Sequence, residues 1–395
     1  MLVALGAIQA TWPLTMDLYL PAFPDIRREL ATTEGFVQLT LTGAFLGMAV
    51  GQLAAGPLSD RIGRMRPLVA VLAIYAVATV ACAVAPSIEA LIAARVVQGA
   101  GAAASSVIVL AIVRDAASGS AMVRLLARLQ LVNGFFVVTS PALGALLLGV
   151  VDWRGIFVVL VVYALVLLIA AVGVLARRET HPPERRALRA GTRLVDDYRM
   201  LVHDRVFVAV VLAGGLQWAA MMAYMASSAF LFQEVYGITP VGYAILFGGH
   251  GLLMIVGAQL SARWSPRRGM RRVLRAGSIV LAVTAASIVG IAIVAPDAGL
   301  VGFVLPLFVF TTAFGVVSPT IQSTALEAHG LRAGTAGSLL GAANMVFGAL
   351  SAPLVALIGP AGAVSIGAVM AGCAAVGAAV VLGMVRGETA AERSA

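Results

Sequence analysis

Lysine is absent from the 395 residues, so all 27 basic side chains are arginine. Charge of either sign is scarce: 11% of the chain is charged and 61% is hydrophobic, whereas a soluble domain carries about 25% charged residues. That deficit excludes a water-soluble globule. Cysteine occurs only at Cys82 and Cys373, both within apolar runs, which excludes a disulfide framework and a cysteine metal site. No Ser/His/Asp order, HExxH, Walker loop or CxxC supports catalysis. The missing nucleotide site excludes an ATP-driven pump, and neither a cofactor nor a metal is expected. Nothing alternates as the strands of an outer-membrane barrel would.

What is present is a series of apolar windows, each long enough to cross a bilayer as a helix of about 20 residues. They fall at roughly 2–23, 36–58, 68–86, 88–113, 124–150, 155–176, 206–231, 241–262, 273–295, 298–324, 333–358 and 361–385. With the N-terminus inside, the loops at 59–67, 114–124, 177–205 and 263–272 and the C-terminal tail collect most of the arginine. The opposite loops hold only Arg27, Arg28 and Arg154. This positive-inside bias makes the net charge of +9 a report of orientation, with both termini cytoplasmic, rather than of nucleic-acid binding. The first span has no basic leader and Asp17 interrupts its far end, which argues against a cleavable signal peptide. The chain opens almost directly in span 1, which leaves room for a cytosolic extension ahead of this start site.

Six spans precede the longest polar segment and six follow it. The expected organisation is an N-terminal bundle at 1–176, a cytoplasmic linker at 177–205 and a C-terminal bundle at 206–395. The halves read as weak parallel repeats: Gly51, Gly63 and Arg66 match Gly257, Gly269 and Arg272, each 206 positions on. Asp60 and Gly56 face Pro266 and Ala262, so the acid is present only in the first copy. The abundant glycine, as in Gly99-Ala100-Gly101, suits close helix packing in lipid.

Between spans 2 and 3 stands Gly56-Pro57-Leu58-Ser59-Asp60-Arg61-Ile62-Gly63-Arg64. Gly56 and Gly63 permit a tight turn and close helix contact. Asp60 can cap a helix or pair with Arg61 or Arg64, forming a cytoplasmic gate that closes in one state and opens in another. A loop made basic by orientation alone would explain the arginines but not the Gly/Asp order. Arg95 is the only arginine inside the apolar part of a span, where a charge needs a cavity or a partner; snorkelling toward a helix end is the alternative. Asp17, near the outer end of span 1, can load and release a proton if its burial and its distance from a cation change between states. A carboxylate in an aqueous vestibule is the bland reading. Pro141 and Gly144, in Ser140-Pro141-Ala142-Leu143-Gly144-Ala145 of span 5, allow a bend and close packing against the other half. His250 is, tyrosines apart, the only titratable side chain deep in the second bundle. It could join the coupling, although a neutral hydrogen-bonded imidazole is the commoner fate.

The Gly56–Arg64 loop resembles the segment between helices 2 and 3 of the major facilitator superfamily. Met65 stands where that pattern carries another basic residue, which Arg66 can replace. Arg95-Val96-Val97-Gln98-Gly99 resembles the helix-4 motif of its proton-coupled members. The 140–145 segment is similar to the Gly-Pro-x-x-Gly-Gly pattern of drug/proton antiporters, with Ser140 and Ala145 at two glycine positions. Asp17-Leu18-Tyr19-Leu20-Pro21, with Val37-Gln38-Leu39-Thr40-Leu41-Thr42, resembles the bicyclomycin/chloramphenicol resistance (Bcr/CflA) branch. Where some relatives carry a second acid in helix 1, Gln9 and Ala7 stand here.

The resemblance implies an all-α membrane protein of twelve helices in two six-helix bundles, in a bacterial cytoplasmic membrane. It implies a proton-coupled antiporter, a monomer sufficing, that exports small antibiotics or related amphipathic compounds by alternating access. Asp17 and Arg95 would be the coupling pair. Tyr19, Asn133, Gln217, Trp218, Tyr224, Asn344 and Phe347 would line the substrate chamber, with Met221, Met222 and Met225 as soft apolar surface. The partners are then a drug-like small molecule, protons and the bilayer, and the energy source is the proton gradient. A metabolite importer of the same fold would need a more polar pocket. A receptor that has lost transport would have little use for Asp17 and Arg95.

Overall fold

A computed structural model describes residues 2–116, 119–175, 179–180, 194–327, 333–360 and 362–394. Of the expected linker, positions 177, 178 and 181–193 lie outside the described residues. The described chain is helical and contains no strand. Its principal helices are α1 (Leu2–Asp17), α2 (Glu34–Ile62), α3 (Met65–Ala83), α4 (Ile88–Ala116), α5 (Gly119–Leu147) and α6 (Trp153–Ala170). They continue with α7 (Arg205–Phe230), α8 (Pro240–Arg268), α9 (Met270–Val294), α10 (Gly299–Glu327), α11 (Ala333–Ile358) and α12 (Ala363–Ser394). Among the described residues, eleven helices, α2 to α12, are long and apolar enough to cross a membrane.

The first span differs from its expected extent. α1 has 16 residues and stops at Asp17, and a 3-10 turn (Leu20–Ala22) and a short helix (Phe23–Glu29) follow. Pro21 is the reason: it has no N–H to give the Asp17 carbonyl, and its ring crowds that oxygen. Asp17 is therefore the last residue of its helix rather than one buried a turn or more inside it. A second difference lies in the 177–205 segment, where Leu194–His203 is helical. α7 then begins on Asp204, whose Oδ1 accepts the N–H groups of Val206 (2.8 Å) and Phe207 (3.2 Å) as an N-cap.

The chain divides into two compact units, Met1–Leu194 and Val195–Ala395. The repeat offset runs through their backbones. α2 and α8 both have 29 residues. The side chain of Thr33 caps the first through Phe36 N–H and that of Thr239 caps the second through Gly242 N–H. Each ends on a glycine in the left-handed region. Gly63 (φ 103°) donates its N–H to Ser59 O at 3.1 Å, and Gly269 (φ 85°) donates to Ser265 O at 3.0 Å. Only glycine adopts such a C-cap without cost.

The same correspondence governs packing. A Cβ on Gly51 would lie 2.2 Å from the Ala100 carbonyl oxygen of α4, and one on Gly257 would lie 2.0 Å from that of Thr312 in α10. In each unit a helix backbone thus rests directly on its neighbour, as small residues permit in lipid. In the first unit Leu68 and Leu72 of α3, Ile108 and Ile112 of α4, and Leu129 of α5 fill the core beyond this seam.

Candidate functional site

The gate segment is mostly helix. Gly56 to Ile62 form the last two turns of α2, and only Gly63 and Arg64 make the turn into α3. Gly56 is thus neither a turn nor a close contact, since an added Cβ would meet nothing within 4 Å. The helix continues past the apolar run because its polar residues still complete the backbone ladder and place Asp60 and Arg64 one turn apart.

Arg64 is 3% exposed. Its Nη1 donates to Ser59 Oγ (2.8 Å) and Asp60 Oδ1 (2.5 Å), and its Nε donates to Asp115 Oδ2 at the end of α4 (2.7 Å). Burial works against this charge, but the hydrogen bonds it gives to Asp115 and Asp60, with the attraction of both carboxylates, outweigh it and lift the guanidinium above its ordinary range. Arg61 is exposed. Asp115 was not among the sequence expectations; a lone acid directly after Arg114, at the far end of an apolar helix, was its signal.

The second constellation centres on Arg95, which is fully buried. Nη1 donates to Thr15 O (3.0 Å) and to Gln98 Oε1 (2.6 Å), and the guanidinium carbon stands 4.2 Å over the Tyr19 ring. Gln98 Nε2 donates in turn to Thr79 Oγ1 of α3 at 3.0 Å. Thr15 Oγ1 donates to Thr11 O and shares a hydrogen bond of 2.8 Å with the Tyr75 hydroxyl, while Tyr19 shares one of 3.0 Å with Thr40 of α2. A buried polar network therefore ties α1, α2, α3 and α4 around one cation. Snorkelling does not describe this residue. Thr15, Thr40, Tyr75 and Thr79 escaped the sequence expectations; polar residues at four-residue spacing inside apolar spans, Thr11/Thr15 and Tyr75/Thr79, were the available signal.

Asp17 lies two residues beyond the carbonyl that Arg95 grips. Its side chain is 2% exposed. Among the described residues no hydrogen bond or ion pair reaches its carboxyl, and Arg95 forms no ion pair. Both members of the expected coupling pair thus meet the end of α1, Asp17 as its last residue and Arg95 from α4 through Thr15 O, but no ion pair joins them. Gly144 of α5 belongs to this site as well. A Cβ there would fall 1.9 Å from Leu18 O, so α5 packs on the residue after Asp17. The close contact expected with the other half is found within the first unit. Pro141 lies inside α5, one turn before. Gly144→Val would drive a branched side chain into that carbonyl, and overpacking costs about 1–3 kcal/mol or more. The expected outcome is a lowered melting midpoint of the purified protein and loss of export, measured against Gly134→Val, whose position is open.

Tyr19 is completely buried beneath Arg95, and Asn133 is half-buried on α5. In the second unit, Gln217 Nε2 donates to Ser278 Oγ of α9 (2.9 Å), and its stem packs on Gly377 of α12. That contact joins α7 to α9, while the amide oxygen Oε1 is buried without a partner among the described residues. Trp218 stands 5.8 Å from the Phe314 ring and rests on Gly348; Phe347 covers Gly215, and Asn344 Oδ1 faces Gly214. The indole N–H of Trp218 and the amide oxygen of Asn344 are buried without partners among the described residues. Tyr224 and His250 lie deeper, with ring centroids 5.4 Å apart and Phe247 against both. The Tyr224 hydroxyl and His250 Nδ1 also lack partners among the described residues. The structure thus brings Trp218, Asn344 and Phe347 to one α7–α11 seam and Tyr224 to His250. No group of three or more His, Cys, Asp and Glu side chains among the described residues could hold a metal.

The Major Facilitator Superfamily model matches residues 5–356. The chain belongs to that superfamily. Among curated relatives, the uncharacterized MFS-type transporter YdgK of Bacillus subtilis is 33% identical over 386 residues, covering 97% of this chain and 94% of the relative. The bicyclomycin resistance protein homolog of Haemophilus influenzae is 27% identical over 356 residues, covering 90% and 88%. The nucleoside transporter NupG superposes with a TM-score of 0.77 over 97% of this chain and 98% of that one. At 12% identity that likeness shows the fold alone. A multi-pass membrane protein of the major facilitator fold follows from the family and from the helices themselves.

Proposed function

We propose that this major facilitator protein is a proton-coupled antiporter that exports small antibiotics or related amphipathic compounds by alternating access. The observation that carries the reading is the buried Asp17 carboxyl, which no hydrogen bond or ion pair reaches among the described residues, at the end of the helix whose Thr15 carbonyl the buried Arg95 holds. A carboxyl and a guanidinium in lipid-embedded helices mark a proton or substrate path. Both meet the end of α1, Asp17 as its last residue and Arg95 through the Thr15 carbonyl. In the outward-open state Asp17 takes a proton and drug leaves. In the inward-open state the proton departs and drug enters. Arg95 holds the Thr15 carbonyl two residues before Asp17, so movement of the α1 end would change the surroundings of both groups. The branch resemblance and the name of the Haemophilus relative support antibiotics as cargo.

Trp218 N–H and Asn344 Oδ1 offer a donor and an acceptor beside aromatic rings, which suits an aromatic compound with a carbonyl and an amide. Phe347 and Tyr224 extend the apolar lining, Gln217 adds a second amide oxygen buried without a partner among the described residues, and His250 would tune the pocket behind Tyr224. In the first unit, taken by itself, Asn133 and Tyr19 are the proposed substrate contacts. Trp218→Phe keeps an aromatic face but deletes the donor and the second ring of the indole, so it should raise KM severalfold with the maximal export rate retained. Transport kinetics in inverted vesicles measure that split. The proposed setting is a bacterial cytoplasmic membrane, with both termini cytoplasmic and bundles at 1–176 and 206–395 joined by 177–205. The protein acts as a monomer without a cofactor and is driven by the proton gradient. The reading is tested by susceptibility of an efflux-deficient bacterial host to chloramphenicol, bicyclomycin and a sulfonamide. Expression should raise resistance to at least one, and unchanged susceptibility to all three would remove the antibiotic assignment.

A further inference from the structure

Glu179 follows α6 in sequence, in a segment whose arginines explained only membrane orientation. Its carboxylate spans two successive backbone donors at the start of α3: Arg64 N–H gives to Oε1 at 2.9 Å and Met65 N–H gives to Oε2 at 3.2 Å. These are among the first N–H groups of α3, which have no partner inside the helix, and the positive end of the helix dipole favours a carboxylate there. Contacts of this kind between a charged acceptor and backbone donors are stronger than neutral ones. The residue whose backbone Glu179 holds is the one whose side chain is clamped by Ser59, Asp60 and Asp115. Arg64 is thus fixed at both ends. Its backbone is tied to the chain beyond α6 and its guanidinium to the ends of α2 and α4.

We infer that Glu179 is a positioning residue of the gate: it sets the α2–α3 turn so that Arg64 can clamp Asp60 and Asp115, and it makes the chain leaving α6 part of that clamp. Gly63, at φ 103°, gives the turn a conformation that side-chain-bearing residues rarely hold. Without an external tie the turn can swing, carrying Arg64 away from both acids. The Glu179 carboxylate holds the backbone of the α2–α3 turn, so its loss should change how fast the states interchange rather than how well either binds. The inference about transport rests on the export reading above; the contact itself does not.

Two measurements on the full-length protein test it. The first is hydrogen exchange at the Arg64 and Met65 amides, followed by mass spectrometry. Glu179→Gln, which retains volume but replaces one acceptor by a donor, should speed their exchange by at least about tenfold, with the rest of α3 unchanged. Equal protection in both proteins would overturn the inference whatever the protein transports. The second is export of chloramphenicol, or of whichever antibiotic in the susceptibility panel is carried, per molecule in inverted vesicles. The expected result for Glu179→Gln is a fall in maximal rate with KM unchanged, partial rescue by Glu179→Asp, and no change for Asp297→Asn, an exposed acid of the second unit. Its effect should be non-additive with Asp115→Asn, since both act through Arg64. Normal export by Glu179→Gln, or full additivity with Asp115→Asn, would overturn the positioning role. If Glu179→Gln fails to reach the membrane, the same cycle is read on Glu179→Asp, where normal export with additivity overturns it equally. Lack of export by the unaltered chain would instead refute the export reading and leave the exchange result standing.

Discussion

Asp17→Asn is expected to abolish proton-driven export while leaving the protein folded in the membrane. The substitution is nearly isosteric, and the side chain it replaces is 2% exposed with no hydrogen bond or ion pair among the described residues. No native contact is therefore lost. What is lost is the ability to exchange a proton as the environment at the end of α1 changes. Resistance conferred on an efflux-deficient host should return to that of cells lacking the protein, with membrane content unchanged by immunoblot. Full resistance in the Asn form would show that coupling runs through another group.

Arg95→Ala is expected to have the second large effect, and for a different reason. The guanidinium is the node of a buried network. Its removal strands Thr15 O and Gln98 Oε1 and uncovers the face of Tyr19. Each stranded buried group costs about 1–3 kcal/mol, so both export and stability should fall. Arg95→Lys separates charge from geometry. An ammonium keeps the cation but cannot serve Thr15 O and Gln98 while lying flat on Tyr19. It should restore membrane level and leave export at least about tenfold below the native rate. Native export by the Lys form would mean that charge alone suffices.

The fold was legible in the chain to an unusual depth because lipid imposes its own rules. A dozen apolar windows, arginine on one side and a 206-residue offset gave the two-fold helical plan. That offset proved to extend from the Thr33 and Thr239 caps to the Gly63 and Gly269 stops. Asp17 and Arg95 were legible because a charge in an apolar helix stands out. Their partners were not. Helices that are apolar all round carry no amphipathic stripe, so nothing in the sequence said that Arg95 would face Thr15 O, that Gln98 would reach Thr79, or that Gly144 would meet Leu18. The helix ends were missed for local reasons. Pro21 stopped α1 earlier than hydropathy implied, and Ser59, Asp60 and Arg61 carried α2 further than it implied. Gln217 read as a chamber residue because it is polar, and nothing in the sequence said that its amide nitrogen would also reach Ser278.

The central claim is that Asp17 binds and releases a proton as drug is moved. The most direct test is drug-induced proton flux in liposomes containing the purified chain, followed by an internal pH dye with no other ion gradient present. Adding an exported antibiotic should drive protons in the direction opposite to the drug, and the Asp17→Asn protein should produce no flux. Drug movement without proton flux in the native protein, or equal flux in the Asn variant, would contradict the account.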